Sequence, residues 1–476
     1  MQDWSMSGIP MAHHGSTGST SRLAAFIAGF VPVDLPEPVR ARAQDACLDG
    51  TGAMLAALHP AVTTSVRIGR FAERVGGEGR ASLIGRRRRS DPVSAALANG
   101  TLGYACDVEP FHPEAILHPI ACILPAALAA AEHRGASGSA LVAAVALGCE
   151  VAYRVSMAVG PVQQYDLGFH PSAVCGTFGA TAAAAVLLGL GADATERALG
   201  LAACQASGLM AWETDPTENA RPFQMGMAAR NGVTAALLAA DGFGGPRGVF
   251  DTGHTVYKAF SRSCRPELLV EGLGASWRGV TELAFKPYPC VAFLHPGLDA
   301  ALAIRSREAI RAEDIAAIRF RFARSGLHCI DGNPLKSHCA QYVLAVALAR
   351  GGLEIADLFI DRREDDAAVS RLSKIIAVVA DTDALEAIFP ARYAAVVEID
   401  LKDERRFAER QDIARGYPDA PMSSEELRGK FRRIVAPAIG DAAAREALEA
   451  VSALWDSPDL ARYAESLRAN ARDLAS

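Results

Sequence analysis

The feature that most limits what this chain can fold into is the run from Pro171 to Ala192, which follows His170 and holds no charged residue. Its length suffices for a bilayer span. Its content argues against one. Ala, Gly, Ser and Thr dominate it, and Val174, Phe178, Val186, Leu187, Leu188 and Leu190 are its only large apolar side chains. Ala at the centre of a span adds little insertion energy compared with Leu or Ile. Gly189 and Gly191 read as a helix end. The run therefore predicts a core helix whose small residues let neighbouring helices, or a ligand, come close to its backbone.

A helix that is apolar all round needs a large helical body to bury it. Half of the 476 residues are apolar, which allows such a core. Ala-rich patterns predict helices over roughly 21–30, 37–57, 61–75, 91–105, 118–134, 138–159, 171–189, 194–208 and 224–241. Asp91 before Pro92 supplies a cap and a first-turn proline. Beyond residue 262 the pattern changes. The segments 317–322, 374–380 and 393–401 are β-branched or alternating and predict strands, with helices at 292–307 and 338–350 between them. From Ser423 the helical pattern returns. The fold class is mostly α: a large all-helical domain over 21–262 and 406–476, with a smaller α+β domain inserted at 263–405. Residues 1–20, rich in Gly, Ser and Thr and lacking a secretory signal, predict a flexible tail, with Met11 as an alternative start.

The net charge of -6 gives no support for a nucleic-acid partner. The basic run 86–89 stands alone and reads as solvated surface. Ten cysteines are scattered singly with no CxxC pair, which predicts buried free thiols in a reducing cytoplasm and no zinc site. Neither a dinucleotide GxGxxG after a strand, nor a phosphate-binding GxxxxGK[ST], nor a GxSxG elbow occurs.

Four places carry candidate chemistry. His170 precedes Pro171 at the start of the uncharged helix. A histidine there is read as a cap or core residue, or as a base whose pKa is lowered by the helix N-terminus. The stretch "GYACDVEPFHPEAILHP" gathers Asp107, Glu109, His112, Glu114 and His118, with prolines that forbid a regular helix. A loop this dense in acids and histidines ahead of a buried helix suits acid–base work. HExxH-type metal spacing is lacking. Arg221 leads "RPFQMGMAARNG"; a lone arginine beside a proline is read as solvent-facing or, against a small-residue helix, as a bidentate clamp for a carboxylate. The proline-stiffened "FKPYPCVAFLHPG" brings Lys286, Tyr288, Cys290 and His295 to a domain junction, where clefts are usually built.

Taken together, the chain resembles the 2-methylcitrate dehydratase/cis-aconitate decarboxylase family (MmgE/PrpD). "ALANGTLGYACD" and its later "LHP", "FHPSAVCGTFGATAAAAVLLGL", "ALGLAACQASGL", "RPFQMGMAARNGVTAALLAADGFGGP", "FKPYPCVAFLHPGLDA" and "GYPDAPMSSEELRGKF" fall in family order over nearly the whole chain. The resemblance implies a helical domain with an α+β lid, a homodimer, and a cofactor-free, metal-free cleft for a small polycarboxylate. Members dehydrate 2-methylcitrate, decarboxylate cis-aconitate or epimerise iminodisuccinate. Asp107, His118 and His170 match family positions. Tyr104 stands at a family His, Glu109 and Pro110 at two acidic positions, Phe111 at a Thr, and Arg221 at a Lys. A lid histidine of some decarboxylating members falls near Val291, and His295 matches another family position. On this resemblance Arg221, Lys286, Tyr104 and His295 bind substrate, His170 or His118 moves the proton, and Asp107 orients a histidine or acts as partner acid. The expected reaction is dehydration or decarboxylation. Alternatives are epimerisation of an amino- or imino-dicarboxylate, and carboxylate binding without turnover.

Overall fold

The computed structural model describes residues 18–359 and 366–468. Most of the expected tail, including Met11, lies outside the described residues. Its last two residues are not tail: helix α1 (Ser19–Gly29) begins there, with the Asp251 carboxylate accepting from the Ser19 and Thr20 amides. The first half of the chain continues as α2 (Glu37–Ala56), α3 (Thr63–Val75), α4 (Pro92–Leu102), α5 (Pro119–Arg134) and α6 (Gly138–Val159). After these come α7 (Pro161–Asp166), α8 (Pro171–Leu188), α9 (Ala192–Ala203) and α10 (Ala220–Ala240), then the short α11 (Val256–Phe260) and α12 (Arg278–Thr281). The Asp91 side chain caps α4 by accepting from the Val93 and Ser94 amides, an interaction that contributes about 1 kcal/mol.

The uncharged run is α8, and it is central. It packs against α5, α6 and α10. Its glycines permit that closeness: a Cβ on Gly179 would overlap the Gly148 carbonyl of α6, and one on Gly176 the Cys122 thiol of α5. Among the described residues, α6 and α8 are the helices long and apolar enough to cross a membrane. Both are buried along most of their length inside the molecule, as core helices are.

The later half holds α13 (His295–Arg307), α14 (Ala340–Arg350), α15 (Ile355–Phe359) and α16 (Ala367–Ile375). Helices α17 (Ser424–Ile439), α18 (Asp441–Ser452) and α19 (Ala461–Ser466) return to the helical body. Two apolar cores result. One joins α1–α6 and α8–α12 with α17–α19; the other joins α13, α14 and α16 with a sheet.

Two strand pairings depart from expectation. The helical body holds a two-residue ladder, β1 (Ala81–Ser82) with β2 (Arg89–Ser90), so it is not wholly helical. The main sheet contains β3 (Ile315–Ala323), β4 (Ile376–Asp381), β5 (Ala395–Leu401) and β6 (Arg406–Gln411), in the order β4-β3-β5-β6. β3 runs parallel to β4, and the other two pairs are antiparallel. β6 continues the sheet past 405, so a helical domain resuming at 406 would cut a hairpin. The sequence concealed it because "RFAERQ" is a charged edge strand with little apolar signal. Lys374 and Ile375 end α16 rather than opening β4, and α9 stops at Ala203. All ten cysteines are free, but Cys204 and Cys264 are exposed rather than buried.

Candidate active site

The loop between α4 and α5 cannot form a regular helix, because Pro110 and Pro113 interrupt it, and Pro119 opens α5. It is pinned instead by isolated pairings. The Phe111 amide donates to the Ala284 carbonyl at 3.0 Å, and the Ala284 amide returns to Phe111 at 2.7 Å. This pairing brings Lys286 alongside Asp107 and Glu109. His112 and Leu117 pair with each other, which delivers His118 to the cap of α5. The His118 amide donates to Ser172 Oγ at 3.0 Å, tying the start of α5 to the first turn of α8 and therefore to His170.

Asp107, Glu109, Lys286 and Arg221 form a buried ion cluster. Lys286 Nζ binds Asp107 Oδ1 and lies 3.4 Å from Glu109 Oε1. Arg221, in the first turn of α10, is 3.4 Å from Asp107 Oδ1 and 3.9 Å from Glu218. Its guanidinium lies over the rings of Tyr104 (4.7 Å) and Trp212 (5.7 Å), a cation–π sandwich. Burial alone would push the Asp107 carboxyl up; Lys286 and then Arg221 reverse this and hold it well below the ordinary carboxylate range. Lys286 goes the other way. Burial disfavours its charge, yet Asp107 and Glu109 raise it above the usual lysine value. Asp107, Lys286 and Arg221 are thus held in their charged forms.

The two histidines beside it are held neutral. Burial, then the neighbouring His118 and Arg221, bring His170 down to about 3. His118 is also lowered, by burial and then Lys286, against the opposing bond to Glu109. Hydrogen bonding selects the tautomers. Gln224 Nε2 donates to the Leu209 carbonyl at 2.7 Å, which turns its Oε1 toward His170 Nδ1 at 3.2 Å. An amide oxygen accepts, so His170 carries its proton on Nδ1 and its Nε2 lone pair is free. Glu109 Oε1 accepts from His118 Nδ1–H at 2.7 Å, leaving Nε2 free there as well. Both rings lie against Tyr104, with centroids at 4.8 Å (His118) and 6.1 Å (His170). The His118 side chain is 17% exposed, so this cluster approaches solvent at His118.

Asp107 pairs with Lys286 and Arg221 rather than with a histidine. Two cations hold it ionised, and the histidine's partner is Glu109. Tyr104 and Arg221 join the cluster as a stacked pair. His295 is fully buried, bonds the Cys290 carbonyl at 3.1 Å and meets Tyr288 edge-on. Burial and Lys286 lower it to about 3. His112 is a satisfied core histidine bonded to the Arg278 carbonyl and to the Ala115 amide.

Several members were not singled out from sequence. Gln224 follows Arg221 by three residues in "RPFQ" and Trp212 sits in a short 3₁₀ helix, Met210–Thr214. His338 comes from the second core and has no local motif. Its Nδ1 bonds Ser337 Oγ at 2.9 Å, and its ring is 6.3 Å from Trp212. Burial and then Arg221 lower it to about 3. Among the described residues, Asp107 Oδ2, Glu109 Oε2, Arg221 Nε and Trp212 Nε1 are buried with no hydrogen-bond partner, so the cluster keeps polar valence. No group of three His, Cys, Asp or Glu among the described residues is arranged to hold a metal ion.

Charged anchors, neutral histidines with free lone pairs and aromatic walls, drawn from both cores, meet in one place, an arrangement with the chemistry for acid–base work beside a bound anion. The chain belongs to the MmgE/PrpD family: the MmgE/PrpD N-terminal domain matches residues 21–269 and the C-terminal domain residues 288–456. It is similar to the cis-aconitate decarboxylase-like protein oryM of Aspergillus oryzae, 28% identical over 93% of this chain and 95% of that one. The cis-aconitate decarboxylase of Aspergillus terreus is 26% identical over 95% and 96% of the two chains. The human cis-aconitate decarboxylase is 30% identical over 72% and 73%.

Proposed function

We propose that the protein is a lyase of small di- or tricarboxylates, with loss of CO2 from a cis-aconitate-like acid as the first reaction to test. The observation that carries this reading is the pair of neutral histidines with free Nε2 atoms beside buried Arg221 and Lys286. The names of the relatives point the same way. Arg221 and Lys286 anchor substrate carboxylates, and Asp107 keeps both cations charged and oriented. An anionic substrate supplies the negative charge that lets His170 or His118 take up a proton.

In a decarboxylation the bond to the leaving carboxylate breaks. Its electron pair passes into the adjacent unsaturated system, and the histidinium delivers its proton to carbon. In a dehydration a histidine Nε2 removes the proton next to a carboxylate, and the hydroxyl leaves as water after protonation. Both routes develop charge best in a closed, dry site, which closure of the α+β unit supplies. The chemistry runs on side-chain acids and bases without a cofactor. The reading extends to a homodimer in the cytoplasm; light scattering on a sizing column tests the dimer.

The experiment is a polycarboxylate panel, cis-aconitate included, followed by NMR for loss of CO2 or water. Turnover that disappears in His170→Ala supports the reading. Full activity in that variant overturns the assignment of His170. Two bases flanking Tyr104 also suit an epimerase, which returns the proton to the other face; solvent deuterium incorporation with no CO2 or water released identifies that reaction. Ligand-induced stabilisation without any turnover identifies a binding protein.

A further inference from the structure

Behind the acid–base cluster lies a second buried ion pair that the proposed chemistry does not use. Lys430 on α17 lies 2.7 and 2.8 Å from the two carboxylate oxygens of Asp49 on α2, and both side chains are 1% exposed. Lys430 Nζ also donates to the Val108 carbonyl at 2.6 Å. Val108 is the residue between Asp107 and Glu109. The preceding carbonyl, that of Asp107, accepts from Lys286 Nζ at 3.3 Å. Consecutive carbonyls of the carboxylate loop are therefore taken by two different buried lysines. The loop needs such restraint, because Asp107 has φ of 55°, a left-handed conformation unusual for a residue with a side chain.

One turn further along α17, Arg433 donates to the Pro287 carbonyl at 2.7 Å. Pro287 follows Lys286. Positions i and i+3 share a helix face. A single face of α17 thus grips the backbone on both sides of the Asp107–Lys286 ion pair. α2 backs the same segment: besides Asp49 it carries Arg42, which donates to the Leu283 carbonyl and stacks over the Phe285 ring at 4.1 Å.

We infer that α17 is a positioning element of the site, in which Lys430, seated on Asp49, and Arg433 set the separation of the carboxylate loop from Lys286. The inference rests on the lyase reading for its kinetic consequences and on geometry alone for its structural ones. Neither Lys430 nor Arg433 touches the histidines. They act through Val108 and Pro287 on the placement of Asp107, Glu109 and Lys286; Glu109 bonds the His118 ring directly, and after burial these three groups are what tune it.

The test uses the full chain and two variants. The double variant Lys430→Met with Asp49→Leu removes both charges together, which a buried pair tolerates better than loss of one partner. Arg433→Met alters a partly exposed side chain and keeps the core intact. In substrate-free protein, the His118 ring titration is followed by NMR, with His118→Gln assigning the signal. Both folded variants are expected to displace that titration. With an active substrate, kcat is expected to fall about tenfold or more while KM stays within about threefold. Arg433→Lys, which keeps a donor, is expected to recover most of the loss. An unchanged titration and unchanged kcat in folded variants overturn the inference. If the double variant does not fold, Arg433→Met decides alone. Absence of wild-type turnover overturns the lyase reading, and the His118 titration still decides the role of α17.

Discussion

The molecule builds carboxylate–cation networks in two places and uses them differently. At the site, Asp107 and Glu109 meet Arg221 and Lys286 out of contact with water. On the outer face of the sheet, Arg319 of β3 meets Glu398 and Asp400 of β5 at 2.6 and 2.9 Å. Strand alternation makes the second network: Ile318, Phe320 and Phe322 turn inward, so Arg319 and Arg321 turn out. Both networks set basic side chains against Asp and Glu within ion-pair distance. Burial separates them. In water an ion pair is screened and each partner has hydration as an alternative. In the core each charge depends on its partner, and the same burial holds the nearby histidines neutral.

The sharpest break in the comparison is His170→Ala. Turnover is expected to fall by about 10²–10⁴-fold, the usual worth of a positioned acid or base, with the helical circular dichroism unchanged. Steady-state kinetics on an active carboxylate, with the spectrum as control, measures it. Lys286→Met comes next. It strips a cation from buried Asp107 and Glu109 and is expected to destabilise the fold by about 3 kcal/mol in denaturant titration.

Acid sharpens the contrast further. Burial holds His170, His295 and His338 at about 3 and His112 at about 4, against an ordinary value of 6.5. The unfolded chain therefore binds more protons than the folded one below 6.5. Stability should fall as pH drops from 6.5 toward 4, and a series of melting temperatures against pH measures this. The same cause predicts proton uptake when a polycarboxylate binds, read by calorimetry in buffers of different ionisation enthalpy. The smallest effect is expected from Arg319→Ala on the sheet. It should change stability by no more than about 1 kcal/mol, and the difference should shrink further in 1 M salt. A large, salt-resistant loss would remove the distinction drawn between the two networks.

Much of the helical body was legible in the sequence, because its signals are local. Pro171 after His170 marks the start of α8, and Gly189 at φ of 72° ends it. Asp91 and Pro92 open α4 in the same way. β6 was not legible, since a charged edge strand is recognised by its partner and not by its own pattern. At the candidate site, family-ordered blocks singled out His170, His118 and Asp107, and the fold brings the three into one neighbourhood. Their roles were less visible. That Glu109 holds His118, and that Asp107 is taken by two cations, depends on where Lys286 and Arg221 arrive.

By itself the sequence determined the family, the long buried helices and the histidines that open α5 and α8. These follow from hydrophobic period, caps and prolines within a few residues of one another. Tertiary structure alone decided the ionisation of the cluster, the tautomers set by Gln224 and Glu109, the entry of His338, and the grip of Lys430 on Val108. Apart from the contact between Glu109 and His118, these meetings join residues far apart in the chain, and Lys430 is 322 positions from Val108. No local pattern encodes such a meeting. It exists because packing excludes water there and leaves every buried charge to find its partner within the protein.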